Sequence, residues 1–281
     1  MLKKIIHRCQ PNFYVKPLRY ANRSLQLARK VKIEVYLPPN YYKNSKQNFP
    51  LLLINDGQDF ERLGMVKVLS KMYDEGLMQS AIVVGIHADS HRVLEYGTAM
   101  REAYNGFGSM ANRYTRFIMS ELVPFLRSKF RCATSSDQTA IAGFSLGGLS
   151  ALDIAWAHPE TFGKVGVFSG SLWWRHTSFR EEDPDADRIM FEVVENSAQK
   201  EGLRFWFMAG TNDETSDRNN NGVIDAIDDT KDMLNLLLQK GYSPDDLYYT
   251  EVEGGEHNPT TWGEVMPQFL RWAFPTGEAM D

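Results

Sequence analysis

The sequence predicts an α/β fold: a mostly parallel central sheet of roughly eight strands with helices on both faces. Two patterns carry that expectation. Short aliphatic runs such as residues 51–54 (L-L-L-I) and 81–86 (A-I-V-V-G-I) show no polar alternation, as expected of strands covered on both faces. Longer stretches with apolar residues at helical spacing lie between them. A third observation, a serine flanked by glycines where a strand gives way to a helix, places chemistry on this frame.

In chain order, residues 31–37 (V-K-I-E-V-Y-L) alternate apolar and polar and stop at Pro38 and Pro39, which reads as a half-exposed strand near a sheet edge. Buried strands follow at 51–54 and 81–86. Residues 113–129 set Phe117, Ile118, Leu122, Phe125 and Leu126 at helical spacing, with Pro124 expected to kink or restart the helix. Further strands are read at 139–142, 165–168, 205–208 and 248–252. Residues 231–240 form another amphipathic helix through Met233, Leu234, Leu236 and Leu237. With no internal repeat and no linker rich in Gly, Ser or Pro, residues 1–281 read as one domain.

A chain of 281 residues, 43% apolar and 24% charged, has ordinary globular usage and can bury a large core without covalent staples. A net charge of −5 argues against a broad nucleic-acid footprint. No run approaches the ~20 apolar residues of a membrane helix. The basic start, Met1 to Arg8, lacks the apolar stretch of a secretory signal, so the expected compartment is cytoplasmic. Cys9 and Cys132 cannot make a disulfide framework, and Cys132 reads as packing.

The chemistry centres on G-F-S-L-G-G, residues 143–148, between the strand at 139–142 and a helix of small residues. A turn this tight puts the serine into a strained conformation, and glycines two positions either side remove Cβ atoms that would collide. Ser145 is therefore the candidate nucleophile. A hydroxyl needs a base, and the base needs a carboxylate to orient it. Two histidines follow Ser145: His176 precedes the strand expected to carry the acid, whereas His257 follows the last strand in G-G-E-H-N, so His257 is the candidate base. After the strand at 205–208 the chain reads A-G-T-N-D-E. Asp213 is the chosen acid, with Glu214 and Asp217 behind it. Oxyanion donors are expected at the Leu146 N–H and at Gly57 or Gln58 in N-D-G-Q-D-F, where Gly57 would let main chain approach the substrate. His87 and His91 are read as edging the site, without the third spaced ligand that zinc would want.

N-D-G-Q-D-F, R-V-L-E-Y at 92–96, G-F-S-L-G-G, G-S-L-W-W at 170–174, G-T-N-D and G-G-E-H-N with Trp262 together resemble the putative esterase family of the α/β hydrolases. That family includes feruloyl and acetyl-xylan esterases, enterobactin-type siderophore esterases, S-formylglutathione hydrolase and mycolyltransferases. The likeness runs from about residue 31 to 272. It implies Ser145 as nucleophile, Asp213 as acid and His257 as base, with an oxyanion hole around Gly57, Gln58 and Leu146. It also implies that Arg92, Glu95 and Tyr96 lie at the site rim. There Arg92 either meets a substrate anion or pairs with Glu95. Trp173 and Trp174 are candidates for a substrate wall, one of them packing inward.

A departure follows the acid. Residues 217–228, D-R-N-N-N-G-V-I-D-A-I-D, match the spacing of a calcium loop. Its ligands would be Asp217, Asn219, Asn221, the Val223 carbonyl, Asp225 and Asp228, with Gly222 at the sharp turn. A structural Ca²⁺ bracing the acid loop is expected, and no cofactor for catalysis. Weak sites of this kind suit extracellular calcium, which sits against the missing secretory signal. The activity expected is hydrolysis of a small-molecule ester by a serine carboxylesterase, through an acyl-enzyme. The alternatives are acyl transfer on the same residues and a catalytically silent homologue that binds carbohydrate or another ligand.

Overall fold

Eight strands hydrogen-bond into one sheet in the order β1-β2-β4-β3-β5-β6-β7-β8. In the computed structural model, residues 15–43 and 45–277 are described; Cys9 and the basic start of the chain lie outside them. β1 (Leu18–Arg23), β2 (Lys30–Tyr36) and β4 (Ile82–Ile86) pair antiparallel. β3 (Leu51–Asn55), β5 (Thr139–Phe144), β6 (Lys164–Phe168), β7 (Arg204–Asn212) and β8 (Leu247–Glu256) continue from β4 as a parallel array. All residues of β3 to β6 are buried, which is why their sequences lack polar alternation.

Period-two alternation divides each strand between two cores. Leu51, Leu53 and Ile141 face one core and Leu52, Ile54, Ala140 and Ala142 the other. The helices are α1 (Met65–Asp74), α2 (Arg92–Glu95), α3 (Ala111–Phe117), α4 (Val123–Lys129), α5 (Leu146–Ala157), α6 (Ile189–Glu195), α7 (Asp225–Gln239) and α8 (Pro259–Ala273). Buried residues of α1 and α8, such as Leu69, Met72, Met266 and Phe269, fill one core. Those of α3 to α7, such as Phe117, Leu126, Leu149, Val194 and Met233, fill the other.

One strand is absent from the sequence reading: the edge strand β1, five of whose six residues are exposed, held by main-chain pairing with β2, by Tyr20 packed on Phe125 and Phe130, and by the Arg19–Glu34 ion pair. As expected, the helix restarts at Pro124: α3 passes into a wide i→i+5 turn at Ile118–Leu122, and Pro124 stands in the first turn of α4. A wide turn of this kind absorbs the hydrogen bond that proline cannot donate.

The order of strands reverses around β3 and β5, and in such sheets ligands bind beyond the carboxyl ends of the strands at that point. Among the described residues no helix is long and apolar enough to cross a membrane.

Candidate active site

Ser145 joins β5 to α5 with φ 55° and ψ −125°, a conformation a side-chain-bearing residue adopts only under constraint. The neighbouring glycines show the constraint. A Cβ on Gly143 would lie 2.2 Å from the Gly147 carbonyl oxygen, and one on Gly147 would lie 2.7 Å from Asp56 Oδ2. Ser145 remains partly exposed while its surroundings are buried, so the hydroxyl can be reached from solvent. A helix leaves its first N–H groups without an intrahelical acceptor, and in α5 these begin with Leu146, next to Ser145.

Asp213 follows β7 just beyond a bulge between Gly210 and Asn212. Its Oδ2 accepts the Gly210 N–H at 2.9 Å and its Oδ1 accepts the Ser169 hydroxyl at 3.1 Å. The same Oδ1 lies 3.8 Å from His257 Nδ1, an electrostatic approach rather than a formed hydrogen bond. His257, at the end of β8, packs edge-on against Trp262 at 5.2 Å. Trp262 stacks on Phe144 at 5.0 Å and donates its indole N–H to Ser169 at 3.0 Å. One indole thus links the residue before the serine, the imidazole and the hydroxyl that holds the acid. Ser169 was missed by sequence reasoning, and so was Ser171, whose Oγ lies 3.4 Å from that of Ser145. A hydroxyl residue in a loop carries no signal of its own until the loop is placed.

Burial pushes the Asp213 carboxyl above its usual range, against the Gly210 and Ser169 hydrogen bonds and the charge of His257. Burial also lowers the His257 imidazole. The Asp213 carboxylate opposes that shift, and the Arg92 cation adds to it. The imidazole is therefore neutral at neutral pH, the form a base requires.

The β3 turn is tightly packed: a Cβ on Gly57 would meet the Gly85 carbonyl carbon at 2.5 Å, so only glycine fits against β4 here. Gln58 ties its amide between Asp56 Oδ1 (2.9 Å) and the Ala88 N–H (2.9 Å). Gly57 and Gln58 also flank a cavity of about 1200 Å³ between α1 and the β1–β2 face, whose walls include His87 but not Ser145.

Arg92 is not paired with Glu95. Its guanidinium grips Asp56 through two hydrogen bonds, 2.7 and 2.8 Å, and reaches the Phe144 carbonyl at 3.4 Å. Glu95 instead holds Arg29 at 2.6 and 2.5 Å and is only 1% exposed. Tyr96 is fully buried, its hydroxyl accepting the Asp56 N–H at 3.2 Å. Glu95 and Tyr96 are thus framework residues, not substrate contacts. Trp174 is likewise buried, stacked on Phe107, whereas Trp173 is 45% exposed. Asp89, His91 and Glu95 come within 4.8 Å of one another, with the Arg29 cation among them. His176 binds Glu192 at 2.7 Å, apart from Ser145 in its partners. Burial pushes the Cys132 thiol up to about 12, so it stays a packed, protonated group.

In the 217–228 loop, Asp217 collects the N–H groups of Asn221 (3.0 Å) and Gly222 (2.9 Å), and Gly222 takes φ 85°. Asn219 and Asn221 both turn their carboxamides to Asp228, at 3.1 and 2.7 Å. Hydrogen bonds thus gather Asn219, Asn221 and Asp228 on one side of the turn, while Asp217 caps its main chain. Asp225 is not among them: it accepts the Arg218 N–H at 2.9 Å and lies 3.1 Å from the same residue's guanidinium, which is committed to a buried network with Asp185 and Asp229.

A parallel sheet in this order with a strained serine turn after its fifth strand defines the α/β-hydrolase fold. Within it, the chain belongs to the family described as Putative esterase, which matches residues 24–273, and it is a hydrolase acting on esters. It is 22% identical over 247 residues to the uncharacterized protein YbbA of Bacillus subtilis, covering 86% of this chain and 92% of that protein. With the iron(III) enterobactin esterase of Escherichia coli K12 it shares 28% identity over 153 residues, 54% of this chain but 34% of the longer relative. A ferulic acid esterase structure superposes with a TM-score of 0.72 at 18% identity, covering 94% of this chain and 99% of the other. The enterobactin esterase of Shigella flexneri gives 0.72 at 21% identity, covering 91% of this chain and 58% of that one.

Proposed function

We propose that the chain is a serine carboxylesterase working through an acyl-enzyme. The observation that supports this reading is the approach of His257 Nδ1 to a buried Asp213 at 3.8 Å, with Trp262 packed against both His257 and Phe144, the residue before the strained Ser145. His257 takes the proton of Ser145 as its Oγ attacks the ester carbonyl. Asp213 holds the imidazole with Nδ1 protonated and offsets the positive charge that develops. Main-chain N–H groups at Leu146 and at Gly57–Gln58 receive the oxyanion. His257 then protonates the leaving alcohol, and water, activated by the same base, releases the acid.

The favoured substrates carry an aromatic group. Trp173, two residues past the Ser145 contact at Ser171, is exposed, as are Tyr104, Phe107 and Phe179. Tyr104 donates its N–H to the Arg175 carbonyl, which puts the loop of Tyr104 and Phe107 against the segment of Trp173. Named relatives act on enterobactin and ferulic acid esters. The test is labelling with a fluorophosphonate followed by turnover of feruloyl, catecholate-lactone and simple acetyl esters. Ser145→Ala is expected to remove both labelling and turnover while leaving the fold intact. Labelling that persists in that variant removes Ser145 from the mechanism.

We also propose a structural Ca²⁺ at Asp217, Asn219, Asn221, the Val223 carbonyl and Asp228. Support comes from the loop spacing and from the hydrogen bonds that bring Asn219 and Asn221 to Asp228 and turn the chain over Asp217 at Gly222. It takes no part in the reaction.

A further inference from the structure

Ser171 touches the nucleophile, and the mechanism above leaves it idle. The segment after β6 holds Ser145 on both sides of its peptide unit: the Ser145 N–H donates to the Phe168 carbonyl at 2.8 Å, and the Ser171 N–H donates to the Ser145 carbonyl at 3.2 Å. Gly170 between them leaves no room for a side chain, since a Cβ there would lie 2.4 Å from Val167 Cγ1. Ser171 is 6% exposed, so its hydroxyl is fixed where the main chain puts it, 3.4 Å from Ser145 Oγ.

Strand order decides what that hydroxyl faces. β5, which carries Ser145, lies between β3 and β6. Gly57 and Gln58 come from the β3 side, together with the α5 N-terminus, and Ser171 comes from the β6 side. With the carbonyl oxygen of a tetrahedral intermediate drawn to main-chain donors on the β3 side, the β6 side, where Ser171 lies beside Ser145 Oγ, is left to the leaving oxygen.

We propose that Ser171 is a further catalytic residue, its hydroxyl donating a hydrogen bond to the leaving-group oxygen of the intermediate formed on Ser145. The inference rests on the esterase reading. Ser171 keeps its proton throughout. His257 returns the proton taken from Ser145 to the leaving oxygen as the carbon–oxygen bond breaks and the carbonyl reforms. Ser171 shares the negative charge gathering on that oxygen, so its contribution grows with the basicity of the leaving group.

The experiment compares Ser171→Ala and Ser171→Thr with the parent chain on acetate esters of p-nitrophenol, phenol and ethanol, reading kcat/KM and the rate of fluorophosphonate labelling. In Ser171→Ala, the loss in kcat/KM is expected to grow with leaving-group basicity, smallest for the p-nitrophenyl ester and about 10- to 100-fold for the ethyl ester, the effect of one donor to a developing charge, with labelling falling no more than p-nitrophenyl turnover does. Ser171→Thr, which keeps a hydroxyl, is expected to restore part of the ethyl-ester rate. Equal losses for all three esters, or none, overturn the inference and reduce Ser171 to a structural residue. A parent chain that is neither labelled nor active on any ester overturns the esterase reading itself, and this inference with it.

Discussion

Replacing Asp213 by Asn tests the reaction scheme at its most constrained point. Both carboxylate oxygens are acceptors in the structure: Oδ2 for the Gly210 N–H at 2.9 Å, Oδ1 for the Ser169 hydroxyl at 3.1 Å. A carboxamide has one acceptor oxygen, so its NH₂ must take one of the two places. On the Oδ2 side it opposes the Gly210 N–H, donor against donor. On the Oδ1 side it opposes Ser169, which already accepts the Trp262 indole N–H, and it faces His257 Nδ1 with a donor. The first arrangement costs about 1–3 kcal/mol of stability for a buried unsatisfied group. The second favours the imidazole tautomer with its proton on Nε2, which cannot accept the Ser145 proton. A loss of about 10⁴-fold in turnover is expected for that tautomer, equivalent to about 5.4 kcal/mol in the barrier.

The pH profile of the same variant gives an independent reading. Activity requires neutral His257, so kcat/KM rises with pH through the histidine pKa, and in the parent chain that limb lies below the usual histidine range because burial and Arg92 outweigh Asp213. Removing the Asp213 charge deletes the one influence that raises the pKa. The residual activity of Asp213→Asn should therefore show its acid limb at still lower pH. Stopped assays of an aryl ester across pH, with Glu214→Gln as control, measure both quantities. A loss below tenfold, or a limb that moves to higher pH, refutes the assignment of Asp213.

Strain at φ 55° predicts that Ser145→Gly is more stable than Ser145→Ala by about 1 kcal/mol in denaturant unfolding, both being inactive. Gly147→Ala, ordinarily favourable in a helix, should cost about 1–3 kcal/mol here because its Cβ lands 2.7 Å from Asp56 Oδ2; an unchanged melting temperature contradicts that contact. Calcium at about ten times its dissociation constant should stabilise the fold by about 1.4 kcal/mol over chelator, read as a rise in Tm. No rise in millimolar calcium counts against the loop as a site.

The strained turn at Ser145 and the positions of Asp213 after β7 and His257 after β8 were legible because local sterics and strand sequence determine them. Tyr96 and Glu95 were misjudged for the opposite reason. Their neighbour Arg92 could meet either Glu95 or a distant carboxylate, and only tertiary placement brings Asp56 within 2.7 Å of it and gives Glu95 to Arg29, 66 residues away. β1 was illegible because its exposed residues carry no alternation, and its ladder uses main-chain groups common to every sequence. Asp225 fits a calcium spacing by position, yet Arg218 in the same motif folds back onto it.

The pairing of Arg92 with Asp56 bears on the chemistry more than a substrate contact would. A free guanidinium this near His257 would oppose the imidazolium that forms on proton transfer, and the Arg92 charge does lower the histidine pKa. Holding it in a two-point grip with a buried carboxylate screens that charge while keeping its steric role between the β3 turn and the Phe144 carbonyl. Asp213, meanwhile, is buried and lies within 4 Å of the imidazole. In the proposed mechanism, the interaction between Asp213 and His257 is therefore weak in the resting site, where the imidazole is neutral, and would gain strength only as the Ser145 proton arrives. An interaction that strengthens along the reaction coordinate lowers the barrier, whereas one already complete in the resting state would not.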